Sequence, residues 1–355
     1  MQQALRHHSS IRAGNPGASA ASILVFRHSD LRGFILALGA LETLRVAHPR
    51  ARICLVARPD MEPFATLCPY VDDVIVDLEH DDKRRRGARI TALRRSNFDF
   101  VYDLDGDVRS ETLLRALKPR FGPAPPSSGP TPSATFSSAP KPGSVGEIQR
   151  LSDQLTLAGL GLTRIPVPDL DWVRHKLGDP PRLSPEYFGI SGRFALISVN
   201  SESSPSELHW PQTSIVSLCH HLVRAGITPV LTGERDAGAL AQSVEMSVRE
   251  AKNLVARADA SQLIALSSLA EVSIGPDSAS IQIAGLCGTP CLVLSTTQAA
   301  RASLDIPYTS AFITVHGKKI ADIQAEALWQ TLTCWQQAAI ASPLEESPVN
   351  RHIGP

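Results

Sequence analysis

Eight short apolar runs, four in each half of the chain, alternate with turns and helix-period stretches, and this spacing restricts the architecture more than any other feature. In the first half the runs are Ile23-Leu24-Val25-Phe26, Ala51 to Val56, Val74-Ile75-Val76 and Phe98 to Leu104. In the second half they are Phe194 to Val199, Thr228 to Thr232, Val272-Ser273-Ile274 and Cys291 to Leu294. Continuous rather than alternating apolarity describes strands covered on both faces, the condition of a parallel sheet between layers of helices. The expected fold class is therefore α/β, as two doubly wound, Rossmann-like parallel-sheet domains in tandem; a length of 355 residues suits two such units. The first is expected over residues 23–165 and the second over 166–342, closed by a final helix around Leu328, Trp329 and Trp335. Residues 1–22 and 343–355 read as tails. Between 119 and 146 the composition turns to Pro, Ser, Ala and Gly, which predicts a flexible surface insertion. Ligands of open parallel sheets bind beyond the carboxyl ends of the strands, so the site is expected there, in a cleft between the halves.

Lys+Arg and Asp+Glu both number 35, and a formal net charge of zero gives no footprint for nucleic acid. The one basic run, Lys83-Arg84-Arg85-Arg86, follows Glu79-His80-Asp81-Asp82 and reads first as the solvated start of a helix. Contact with anionic phospholipid or an acidic acceptor is its second reading. The six cysteines lack CxxC spacing or a neighbouring His and are expected as reduced thiols, with no metal site. No apolar signal segment precedes Ile23 and no run reaches the roughly 18 residues of a membrane span, so a cytoplasmic protein is expected.

The chemistry concentrates in Gly275-Pro276-Asp277-Ser278, which follows an apolar run and opens a helical stretch to Leu286. Free N–H groups at a helix start favour a phosphate or diphosphate. Asp277 would repel such a group if it pointed inward, so it reads as a cap or as an acceptor for ligand hydroxyls. Asp103-Leu104-Asp105-Gly106-Asp107 has the form of a metal-holding DxD, but ends the fourth apolar run and also reads as a polar acceptor-side loop or a solvated turn. Walker, Gly-x-Ser-x-Gly and dinucleotide fingerprints are absent, which argues against triphosphatase, hydrolase and NAD-dependent readings.

Taken in order, these stretches resemble the family 9 glycosyltransferases, the lipopolysaccharide heptosyltransferases. Gly275, Asp277, Ser278, Ala284, Leu286, Gly288, Thr289 and Pro290 fit that family's donor loop, with Ala279 for a Gly, Ser280 for a Pro and Gln282 for a His. Pro69 to Val74, Asp103 to Gly106 with Arg109-Ser110, His209-Trp210-Pro211 and Gly233-Glu234 follow the family's other motifs, so the resemblance spans roughly 22–340. It implies a GT-B fold, no cofactor, and inverting, metal-independent transfer from a nucleotide-diphosphate sugar, typically ADP-heptose, to a lipopolysaccharide core or other glycan or lipid-linked acceptor at the inner membrane surface. By position it implies donor contacts from Asp277, Ser278, Ala279, Gln282, Glu234, His209 and Ser201, and acceptor-side roles for Asp105 and Arg109. Two departures bear on catalysis. Arg32 and Gly33 stand where the family has Gly and the Asp that takes the acceptor's proton, which leaves Asp30, or more weakly His28, as the substitute base. Leu208 stands where the family has a Lys expected to neutralise the leaving diphosphate, with His209 or Arg32 as partial replacements. A catalytically lapsed member that binds nucleotide sugar or a partner enzyme is the alternative.

Overall fold

The computed structural model describes residues 20–77, 83–118, 123–138, 146–160, 164–178, 180–200, 209–296, 312–341 and 351–353. The chain divides into two compact units, Met1–Trp172 and Val173–Pro355.

In the first unit the elements run β1 (Ser22–Phe26), α1 (Leu31–Ala47), β2 (Arg52–Ala57), α2 (Glu62–Leu67), β3 (Asp73–Val76), α3 (Lys83–Arg95), β4 (Phe100–Asp103), α4 (Val108–Leu117), β5 (Ser127–Gly129), β6 (Phe136–Ser137) and α5 (Glu147–Leu155). The six strands are all parallel in the order β3-β2-β1-β4-β5-β6. β1 is central, and Ile23, Leu24, Val25 and Phe26 are fully buried, as the uninterrupted apolar run requires. α1 starts at Asp30, whose side chain accepts the Gly33 N–H and caps the helix.

The Pro/Ser-rich stretch departs from its expected character as a flexible insertion. Ser127–Gly129 pairs with β4, Phe136–Ser137 pairs in turn with Ser128 and Gly129, and residues 127–131 are buried. Small residues do not mark disorder here because this edge of the sheet leaves little room: a Cβ on Gly129 would lie 2.8 Å from the Asp103 Cβ. Residues 119–122 and 139–145 of the stretch lie outside the described residues.

α6 (Asp171–Leu177) carries the chain into the second unit. There follow β7 (Phe194–Ser198), α7 (Gln212–Arg224), β8 (Thr228–Thr232), α8 (Gly238–Ser247), β9 (Lys252–Asn253), α9 (Ala260–Ser267), β10 (Val272–Pro276), α10 (Ala279–Leu286), β11 (Cys291–Thr296), β12 (Phe312–Gly317), α11 (Ala325–Ala341) and β13 (Arg351–Ile353). The strands are again all parallel, in the order β13-β12-β11-β10-β7-β8-β9. Arg351–Ile353, expected in a tail beyond the fold, pairs with β12. Trp210 is buried among Val199, Ile215, Leu218 and their neighbours, the packing role its apolar surroundings suggest. Both sheets reverse their order beside the first strand of the unit, between β1 and β4 and between β7 and β10, which makes those carboxyl edges the places for a ligand. With both sheets assembled this way, the fold is the GT-B α/β arrangement of two Rossmann-like domains.

Two helix glycines separate intrinsic propensity from packing. A Gly→Ala change in a helix ordinarily stabilises by about 1 kcal/mol. At Gly87 in α3 an added Cβ meets nothing within 4 Å, whereas at Gly39 in α1 it would lie 2.1 Å from the Pro166 carbonyl oxygen. Thermal unfolding of the two variants should therefore move in opposite directions. Gly87→Ala should raise Tm, and Gly39→Ala should lower it by an overpacking cost of about 1–3 kcal/mol; a raised Tm for Gly39→Ala would contradict the packing described here.

Candidate functional site

At the switch point of the first unit, the residues after β1 meet those after β4. Arg27 leaves β1 with a side chain only 3% exposed and holds four separate segments together. Its Nη1 donates to the Leu104 carbonyl at 2.8 Å and approaches Asp105 Oδ1 at 3.4 Å and Glu147 Oε1 at 3.0 Å. Its Nε and Nη2 donate to the Gly33 carbonyl. Loop 27–30, the first turn of α1, the β4 loop and the start of α5 are thus fixed on one guanidinium.

His28 lies beside it and is also buried. Its Nδ1 is 3.2 Å from Asp105 Oδ2 and its Nε2 is 3.2 Å from Asp77 Oδ2, although neither ring contact has hydrogen-bond alignment. The His28 backbone N–H donates to the same Asp105 oxygen. Asp77 in turn accepts from Arg109 Nε at 2.7 Å and lies 3.5 Å from Arg89. Asp103, fully buried, organises its own loop: Oδ1 accepts the N–H groups of Asp105 and Gly106, and Oδ2 accepts the Ser110 hydroxyl. Asp107 caps α4 through the Ser110 N–H.

The three aspartates of the DxD-like stretch are therefore each engaged in holding protein groups. Among the described residues no set of three or more His, Cys, Asp or Glu side chains converges as a metal site would need. Burial pushes the Asp103 carboxyl above its ordinary range. Burial pushes Asp105 the same way, but His28 and Arg27 outweigh it and hold that carboxyl below its usual value of 3.8. Glu147 follows the same balance, with burial outweighed by Arg150 and Arg27, and sits below 4.5.

Arg27, His28, Ser29, Asp30, Arg32, Gly33, Asp105 and Glu147 are among the residues lining a cavity of about 310 Å³ on this edge. Gly33 has its side-chain space already taken, since a Cβ there would stand 2.5 Å from the Ser29 Cβ and 3.0 Å from Arg27 Nη2.

The second unit builds its switch point from small residues. Gly275, one residue before the end of β10, lies against β7, where a Cβ would be 2.6 Å from the Ser198 carbonyl oxygen. At Gly233, after β8, an added Cβ would likewise lie 2.5 Å from the Val199 carbonyl oxygen. Ser278 caps α10 by accepting the Ile281 N–H, and its hydroxyl pairs with that of Ser198 at 2.7 Å. Gln282, one turn into the helix and fully buried, donates to Asp277 Oδ1 at 2.7 Å, and its Oε1 has no hydrogen-bond partner among the described residues.

Of the residues expected on the donor side, Asp277, Ser278, Ala279 and Gln282 form this one loop and helix start. Glu234 is exposed directly after Gly233 at the end of β8, which β7 separates from β10 in the sheet order. His209 precedes α7, with Nε2 buried and no hydrogen-bond partner among the described residues. Ser201 and Leu208 lie outside the described residues. On the acceptor side Asp105 lines the cavity, while Arg109 is turned to Asp77. Asp30 combines two positions, capping α1 and lining the cavity. Sequence reasoning missed Arg27, Asp77, Glu147 and Ser198. A cation next to the buried Phe26 is a usable signal for Arg27, but Glu147 stands 120 residues from its partner and has none.

Comparison with known proteins follows this geometry. The family model for glycosyltransferase family 9 (heptosyltransferase) matches residues 86–302, more than half of the chain. A Haemophilus influenzae protein provisionally designated a glycosyltransferase is 25% identical over 104 residues, which span 29% of this chain and 30% of that relative's length. Among solved structures, the Escherichia coli ADP-heptose LPS heptosyltransferase II aligns with a TM-score of 0.69 at 16% identity, covering 90% of this chain and all of the other. A family 9 glycosyl transferase from Veillonella parvula aligns with a TM-score of 0.71 at 18% identity, covering 91% and 98%.

The depressed Glu147 carboxyl sets a sign for acid stability. Its proton binds less readily in the folded chain than in the unfolded one, so the stabilisation it supplies is complete above pH 4.5 and is lost as pH falls through its folded value. Asp103, with its carboxyl raised, acts in the opposite sense. Urea unfolding followed from pH 6 down to pH 3 should show Glu147→Gln less stable than the parent at pH 6, with a shallower loss on acidification. Parallel curves for the two proteins would mean that the Arg27–Glu147–Arg150 contacts carry no pH-linked stability.

Proposed function

The chain belongs to glycosyltransferase family 9, the heptosyltransferase family, and on that footing we propose that it transfers a heptose-like sugar from a nucleotide-diphosphate donor, ADP-heptose in type, to a hydroxyl of a lipopolysaccharide core or other glycan acceptor. The transfer is inverting and independent of metal. The acceptor oxygen attacks the anomeric carbon in line as the bond to the diphosphate breaks, and a carboxylate takes the hydroxyl proton.

The observation that carries this reading is the Gly275–Ser278 loop. Backbone at Gly275 presses on β7, Ser278 caps α10, and Gln282 steers the Asp277 carboxylate, so amide donors and one oriented acceptor stand together at a switch point. Helix N–H groups suit the diphosphate, and a carboxylate accepting two hydrogen bonds suits sugar or ribose hydroxyls, the part we assign to Asp277 and Glu234. His209 and Arg32 are the candidates for countering charge on the leaving group. Similarity to an enzyme whose name specifies ADP-heptose supports the donor class.

For the base we favour Asp30 over His28. Asp30 Oδ1 accepts the Gly33 N–H at 2.8 Å while its carboxylate lines the cavity. His28 has a carboxylate at each ring nitrogen, which suits it to hold the loop rather than receive a proton from substrate. One observation favours the second reading, a lapsed member that only binds nucleotide sugar: the Gly33 side-chain space is filled by Ser29 and Arg27, so the family's carboxylate has no room there.

Asp30→Asn separates these possibilities, because Asn caps a helix as well as Asp does but cannot take the proton. In an assay of ADP release from ADP-heptose with a lipopolysaccharide-core acceptor, turnover should fall by about 10²-fold or more, with donor KM and Tm unchanged. Full turnover in Asp30→Asn would remove Asp30 as the base. An unaltered protein that gains thermal stability with ADP-heptose yet never consumes it would establish the lapsed reading instead.

A further inference from the structure

We propose that the cavity of the first unit takes its acceptor as a neutral polyol and disfavours a sugar that brings a carboxylate or phosphate into it. The inference rests on the acceptor role given to this edge above and narrows its substrate class.

Most of the groups here that could hold an anion are already paired with the chain's own carboxylates. A helix start binds anions through its first N–H groups and its dipole. α1 begins at Asp30, whose Oδ1 accepts the Gly33 N–H at 2.8 Å, and α4 begins at Asp107, whose Oδ1 accepts the Ser110 N–H at 2.7 Å. Both aspartates line the cavity, so each puts its own negative charge where a ligand's would have to go. Guanidinium groups are the other common device for anions. Arg27 directs all three of its nitrogens to the Gly33 and Leu104 carbonyls, Asp105 and Glu147. Arg150 forks onto Glu147 through Nε at 3.0 Å and Nη2 at 2.6 Å. Arg32, the other guanidinium on the wall, is assigned above to the leaving group.

What the wall offers a ligand is therefore mainly hydrogen-bond acceptance, from Asp30, Asp105, Asp107 and Glu147. Sugar hydroxyls donate to such oxygens, whereas a carboxylate or phosphate brings negative oxygens of its own and meets like charge. Two further groups mark the cavity as a place for polar ligand atoms. His28 and Ser29 also line it; His28 is 5% exposed, and neither its ring nor the Ser29 hydroxyl has a hydrogen-bond partner among the described residues. A hydroxyl both donates and accepts, which complements another hydroxyl. The second unit has the opposite arrangement, since α10 is capped by the neutral Ser278, which leaves the positive end of that helix for an anion.

Binding of three matched glycosides to the full chain is the test, read by saturation-transfer NMR, which requires neither donor nor turnover. The probes are methyl glucoside, the same glycoside phosphorylated on its primary hydroxyl, and methyl glucuronide. The neutral glycoside should bind, and the two anionic ones should bind about tenfold more weakly at low salt, with the gap closing as salt rises. In Asp107→Ser and Glu147→Gln the affinity for methyl glucuronide should rise, by a few fold each and about tenfold together, while that for methyl glucoside stays within about twofold. Serine keeps the helix cap without the charge, so if thermal unfolding finds Glu147→Gln unfolded, Asp107→Ser alone carries the comparison. Equal or tighter binding of the anionic glycosides, an affinity ratio unmoved in Asp107→Ser, or no binding of any of the three would each overturn the proposal. Consumption of ADP-heptose is scored separately. The expected order of binding without turnover would support this inference and count against transfer, and equal turnover of neutral and uronate acceptors would do the reverse.

Discussion

The first unit turns on one guanidinium. Arg27 follows the buried Phe26 at the end of β1 and meets the Gly33 and Leu104 carbonyls together with the carboxylates of Asp105 and Glu147. Such a group needs several acceptors around a rigid fork, and burying it without them would cost several kcal/mol. The loops therefore have to close around it. Closing them brings Asp105 to His28, His28 to Asp77, and Asp77 to Arg109 and Arg89, so one buried cation determines where five further ionisable side chains stand. The cavity is the space these segments leave on their outer side.

The second unit reaches an equivalent position by a different physical route. Its switch point holds few charges and is built from close approach: Gly275 against Ser198, Gly233 against Val199, and a hydroxyl pair between Ser198 and Ser278. Small residues let the backbone come near enough to present its own N–H groups, and the polar side chains there are aimed by neighbours, as Asp277 is by Gln282. A network of opposed charges suits a surface that must keep its shape around polar contacts. Bare amides suit an anion. The division of labour proposed between acceptor and donor follows from that contrast.

Departures from the family pattern acquire a packing logic. A residue larger than glycine at position 33 would collide with Ser29 and Arg27, so the absence of the family's aspartate is tied to the same guanidinium that organises the loop. Gln282 in place of the family's histidine keeps a buried donor toward Asp277 while remaining neutral at every pH. The polar stretch after α4 adds β5 and β6 to the sheet, and its glycine at 129 fits a comparable constraint, since a Cβ there would meet Asp103.

Much of the fold was legible in the residue order. Uninterrupted runs such as Ile23–Phe26 and Cys291–Leu294 required strands buried on both faces, and their alternation with helices required parallel sheets in two units. The loop from Gly275 to Ser278 announced a helix start, because glycine, a capping serine and a following small-residue helix are local signals. What the sequence left open was every relation between distant segments. Arg27 with Glu147, His28 with Asp77, and Ser198 with Ser278 meet only through strand order, at separations where no periodicity links them. Local chemistry and periodic burial are written along the chain, so the sequence by itself determined the central strands, the helices between them and the capped turn at Gly275–Ser278, but not the outer strands β5, β6, β9, β12 and β13. Which carboxylates are spent on holding the protein and which face the cavity depends on contacts closed across the sheet, and only the tertiary structure decided it.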